Sequence, residues 1–159
     1  MNYDKLKTEL ATDPLARGYA RMTDAEAAAS LNATDTGRTR LVNIPSTELL
    51  AWAAGASSGD RPRYLKLEEA AVAHASEQIR AIAKAAVKMI DRDATSLDLS
   101  KPDRAAMVGA LVAGGVLSPA DQISIYALAA EAISRKVELD ITDPIDPEHV
   151  ASARQLIGA

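Results

Sequence analysis

Cysteine is absent from this chain, which removes disulfides, thiolate nucleophiles and thiolate metal sites together. Phenylalanine is absent as well, and the aromatic share is only 3%, with a single Trp. A core without aromatic bulk is built from Ala, Leu, Ile and Val, which let helices approach closely and suit helix-on-helix layers better than a β-sandwich. Positive charge is not in excess. The 18 Lys and Arg stand against 22 Asp and Glu, a formal charge of −4 that sets up no basic field for nucleic acid. No apolar run approaches the length of a membrane span, and the opening Met1-Asn2-Tyr3-Asp4-Lys5 has no signal-peptide hydrophobic core. The expectation is a soluble intracellular product, or one assembled inside a cell.

What the chain does have is 48% hydrophobic residues over 159 positions, ample for a core. Leu65 to Arg92 runs without Pro or Gly, and Val72, Ala75, Ile79, Ile82, Ala86 and Met89 recur at steps of three and four. Leu65, Ala83 and Ile90 widen that stripe, while Glu68, Glu69, Glu77, Arg80, Lys84 and Lys88 lie opposite. The pattern predicts one helix on the order of 40 Å long. The fold expected is all-α: a helical bundle built around that long central helix, with a loop-rich N-terminal region. Residues 1–62 would carry short helices and an arm, residues 63–159 the bundle core, and the whole would form one cooperative domain.

Punctuation along the chain supports several shorter helices. Tyr3 to Ala11 carries Leu6 and Leu10 on one side and must end before Pro14. Thr23-Asp24-Ala25-Glu26 is a capping-box pattern, and Ala25, Ala28, Ala29 and Leu31 follow it. Residues 33–44 are mostly polar and read as a loop or arm, with Leu41, Val42 and Ile44 as a brief extended piece. Pro45-Ser46 opens a helix with Leu49, Leu50, Trp52 and Ala53 as packing residues. Gly55 to Pro62 is linker-like and a candidate hinge. Met107, Val108 and Leu111 mark a helix stopped by Gly114-Gly115. Ser118-Pro119 then starts another, expected to reach about Glu138 and nearly apolar all round, which implies burial against its own fold or a neighbouring subunit. Asp146-Pro147 opens the last, with Val150, Ala153 and Ile157 in register.

Chemistry is hard to place. His74 and His149 are the only histidines, they do not have the one-turn spacing of a helical zinc site, and both read as ordinary helix residues. The serines form no nucleophile elbow, and Gly114-Gly115 is followed by no phosphate-loop Lys. Asp140, Asp143 and Asp146 lack calcium-loop spacing and read as turn and cap residues. No catalytic, cofactor or metal site is expected. The suggestive side chains are Arg17, Tyr19, Arg21, Arg38 and Arg40, clustered in loop segments and of the types that anchor protein interfaces. Ile125 and Tyr126, on the apolar helix, complete the candidate interface. The alternative for the arginines is pairing with Asp13, Asp24 and Asp35.

Two stretches resemble known sequences. Asp13-Pro14-Leu15-Ala16-Arg17-Gly18-Tyr19-Ala20-Arg21-Met22-Thr23-Asp24, followed by Leu31-Asn32, is similar to the opening of small proteins encoded in the structural gene clusters of tailed bacteriophages. Ser134-Arg135-Lys136-Val137-Glu138-Leu139, then Val150 and Ala153-Arg154, is similar to their closing segment. Asp140 stands where those proteins have Gly, which leaves the helix cap there open. The resemblance implies a non-enzymatic virion-associated structural protein, in the neck or tail region, present in the virion and in the host cytoplasm during assembly. Its implied partners are copies of itself, as a homo-oligomer, and neighbouring phage structural proteins. The alternative is an assembly chaperone or host-directed adaptor not retained in the particle.

Overall fold

A computed structural model describes residues 1–34, 37–56, 61–91 and 96–158. The described chain is mostly helical. In chain order its α-helices are α1 (Tyr3–Thr12), α2 (Asp24–Asn32), α3 (Ser46–Ala54), α4 (Arg63–Ala73), α5 (Glu77–Asp91), α6 (Pro102–Ala113), α7 (Pro119–Ala129), α8 (Arg135–Glu138) and α9 (Pro147–Ile157). Short strands lie between them: β1 (Thr39–Leu41), β2 (Asn43–Ile44), β3 (Leu97–Asp98) and β4 (Ala130–Ala132). β1 pairs with β4, and β2 runs antiparallel to β3 with Ile44 opposite Leu97. Contacts divide the chain into two compact units, Met1–Thr39 with Ala132–Ala159, and Arg40–Glu131. This division does not fall at residue 62. The first unit is discontinuous, because α1 and α2 pack on α9 from the far end of the chain.

In the first unit the expected caps form. Thr23 Oγ1 accepts from the Glu26 backbone while the Glu26 carboxylate reaches back to the Thr23 N–H, closing the box that starts α2. Asp146 and His149 make the equivalent exchange at the start of α9. The core is Leu6, Leu10, Tyr19, Leu31, Ile141, Ile145 and Val150, with alanines between them. Ala27 and Ala28 turn inward rather than Ala25 and Ala29, which are exposed. Asp140 sits at φ 54°, in the left-handed region where Gly is the usual choice, and its carboxylate is held by Lys5 at 2.7 Å.

In the second unit the predicted central helix is two helices. α4 ends at Ala73, His74 leaves helical geometry at ψ 139°, and α5 starts at Glu77. Local polar groups offer this stretch a substitute for the helical ladder. Ser76 Oγ accepts from the Ile79 N–H, as an N-cap would, and Glu77 places its charge in the first turn. The His74 ring bonds the Gly114 carbonyl through Nε2 at 3.0 Å and accepts the Ser76 N–H at Nδ1. Arg80 then donates to the freed carbonyls of His74 and Ala75. His74 is thus a helix-ending residue and not an ordinary helical one. Because the break resets the register, the stripe drawn through residues 72–89 holds only along α5, where Ile79, Ile82, Ala86 and Met89 pack on the core. Val72 and Ala75 are exposed, and the face α4 buries is Leu67 and Ala70. Tyr64 at the start of α4 donates to Asp91 at the end of α5 at 2.7 Å, so the two helices run back along each other.

The helix expected from Pro119 to Glu138 also ends early. α7 stops at Ala129, whose carbonyl accepts from Val42 at 2.7 Å, and β4 follows. Backbone partners on residues 38–42 replace the next helical turn, and Ile133 donates to the Arg38 carbonyl. α7 is not buried all round: Ile125 and Ala129 face the core, while Ile123 is 72% exposed. Leu50, expected to pack, is exposed as well. The hinge reading of residues 57–60 lies outside the described residues, though Gly55 and Arg63 on either side are hydrogen-bonded.

Candidate interaction surfaces

The five loop residues proposed as an interface meet different fates. Tyr19 has no exposed surface and belongs to the core of the first unit. Its hydroxyl points to Glu9 Oε1 at 3.4 Å, and burial, then the Glu9 charge, pushes its pKa up to about 12. The loop that delivers it is tightly wound. Asp13, Ala16 and Gly18 all take positive φ, and the Asp13 carboxylate accepts the backbone N–H groups of Arg17 and Gly18. Arg17 is half-buried, its guanidinium spent on the carbonyl and hydroxyl of Ser30. Arg21 is exposed. Arg38 pairs with Glu138, and Arg40 with Glu131 at 2.8 Å. The expected pairings with Asp13 and Asp24 do not form, since Asp24 is taken by Arg154 at 2.5 Å; Asp35 lies outside the described residues. Tyr19 is therefore a packing residue and not a surface anchor.

Beneath that loop lies an ionic chain that sequence reading missed. Glu9, its side chain 2% exposed, takes two bonds from Arg135, Nε to Oε1 at 2.8 Å and Nη2 to Oε2 at 2.6 Å. Arg135 also donates to Glu138 at 2.9 Å, and Arg38 closes the series. The fork of an arginine matches a carboxylate in this way, and the hydrogen bond to Glu9 raises the pKa of Arg135 further. Burial alone would lift the Glu138 carboxyl, but bonds from Arg135 and Arg38 outweigh it and hold it below its usual value. The only clue in the sequence was the spacing of Ser134-Arg135 and Glu138, one helical turn apart.

The second unit has its own buried carboxylate. Asp121, fully buried at the third position of α7, accepts the N–H and hydroxyl of Ser118 and the Nε of Arg63 at 2.6 Å. Arg63 lies 4.9 Å over the Trp52 ring and donates to the Trp52 carbonyl, while the indole N–H donates to Ser124 Oγ at 2.8 Å. Burial would raise the Asp121 carboxyl; the bonds from Ser118 and Arg63 prevail and lower it. Ile125 is 2% exposed and packs beside this cluster, and Tyr126 is half-buried against the same core. Ile125 is thus also a core residue and not an open contact.

The open apolar surface of this unit lies elsewhere. Val72 is 82% exposed, Ile123 72%, Leu65 44% and Leu50 41%. Leu50 and Leu65 line a groove of about 580 Å³ with Ala53, Pro62, Tyr64 and Ile90. The signal available for Val72 was its place seven residues from Leu65, on the same helical face as Glu68 and Glu69. Among the described residues no group of three or more His, Asp or Glu side chains converges as metal ligands would. No helix among them is long and apolar enough to cross a membrane. No family model, curated protein or solved structure matches the chain.

Proposed function

We propose that this chain is a non-enzymatic assembly protein of a tailed-phage particle, of the neck or tail region, working through contacts with copies of itself and with adjoining virion proteins. The observation that carries this reading is the pair of large apolar side chains, Val72 and Ile123, left on the surface of a unit whose core is already filled. Such side chains gain most when a partner covers them. The likeness of the Asp13–Asp24 and Ser134–Arg154 segments to phage structural-cluster proteins supplies the biological setting. Support from the loop arginines is narrower than the sequence suggested, because Arg17 is committed internally and Arg38 and Arg40 are paired. Arg21 and the exposed apolar residues are the contacts favoured now.

Mass spectrometry of purified particles tests this directly. Stoichiometric presence of the chain is the expected result. Absence from particles that required it for assembly would replace the structural role with that of a chaperone or host-directed adaptor.

A further inference from the structure

The outward faces of α4 and α5 are chemically unlike and mutually suited. On α4, Leu65, Glu68, Glu69 and Val72 are exposed, an acidic patch between two apolar side chains. Leu65 and Val72 stand seven residues apart, roughly 10 Å along the axis. On α5, Ala81, Lys84, Ala85 and Lys88 are exposed, a basic row beside small side chains. Among the described residues neither lysine meets a carboxylate within ion-pair distance. Glu69 pairs with Arg61 at 2.8 Å, but both side chains are more than half exposed, so that pair is weak and exchangeable.

We infer that a second copy of this chain docks on this face, with α4 of each copy lying along α5 of the other. A two-fold contact requires one surface to carry both halves of the match, and this surface does. Glu68 and Glu69 then oppose the partner's Lys84 and the partner's Lys88, while Leu65 and Val72 enter the shallow places left by the alanines. Opposite charge sets which helix meets which, and covering the apolar pair supplies the attraction. The inference deepens the reading above by naming a self-contact. It does not depend on where in a particle the chain resides.

Sedimentation velocity of the full chain, from low to high micromolar and in low and high salt, reads the association. Wild type is expected to form dimers that weaken as salt rises. Reversing one side, E68K with E69K, should raise the dissociation constant by on the order of tenfold or more, as should K84E with K88E. Mixing the two reversed proteins should restore a dimer, since each then meets its opposite. Restoration also proves both variants folded, and circular dichroism checks each alone. A wild type that stays monomeric throughout, or dimers indifferent to both reversals, would overturn the inference. Mass spectrometry of particles is independent: absence from virions sinks the structural role without touching dimerisation.

Discussion

Each unit buries one carboxylate against one arginine, and the two are secured in different ways. Asp121 is a helix cap first. Ser118, three residues away, already supplies a backbone N–H and a hydroxyl, and Arg63 adds a third bond. Glu9 has no such local provision. Its two short bonds both come from Arg135, 126 residues further on, and its remaining neighbour is the Tyr19 hydroxyl at 3.4 Å. A buried charge costs most when its only good partner is removed, so the same substitution should be felt unequally in the two units.

The largest effect is expected from Arg135→Met, which strands Glu9 and should cost about 3–5 kcal/mol. Urea denaturation followed by far-ultraviolet circular dichroism reads it, and Glu9→Gln added to the same chain should return part of the loss. Arg63→Met comes next, at about 2 kcal/mol, because Asp121 keeps its Ser118 bonds. The single tryptophan, Trp52, lies in the second unit, so its fluorescence reports that transition separately. An Arg63 cost equal to or above that of Arg135 would break the comparison. Tyr19→Phe should cost about 1 kcal/mol at neutral pH. Its folded pKa of about 12 lies above the ordinary 10, so the neutral phenol's contribution is whole below pH 10 and fades as pH climbs towards 12. The Phe variant should lose less stability over that window than wild type. Tyr64 titrates there in both proteins, so the difference belongs to Tyr19. Ser76→Ala is the mildest, about 0.5–1 kcal/mol, and should appear as faster amide exchange at Ile79.

Capping signals were the most legible part of the chain. Thr23, Ser118 and Asp146 each start a helix where the sequence places it, because a cap is decided within four residues. The helical class was readable for the same local reason. The central helix misled because the period from Val72 to Met89 ran smoothly through His74-Ala75-Ser76, and what breaks it includes a bond to Gly114, 40 residues away. Tyr19 and Ile125 looked like interface residues by type, yet burial is a tertiary property that type alone does not reveal. Glu9 and Arg135 were invisible as a pair, since nothing local in either segment announces the other.

The 126-residue gap between those partners bears on how the protein comes off the ribosome. At about 5–20 residues per second, Glu9 is joined to the chain roughly 6–25 s before Arg135. Until α9 is made, α1 and α2 have nothing from the far end of the chain to lie against, whereas residues 40–131 form a compact unit by themselves. The stretch in the middle can therefore close without either flank, and a released chain truncated after Glu131 should resist protease from Arg40 onward and be cut readily before Thr39.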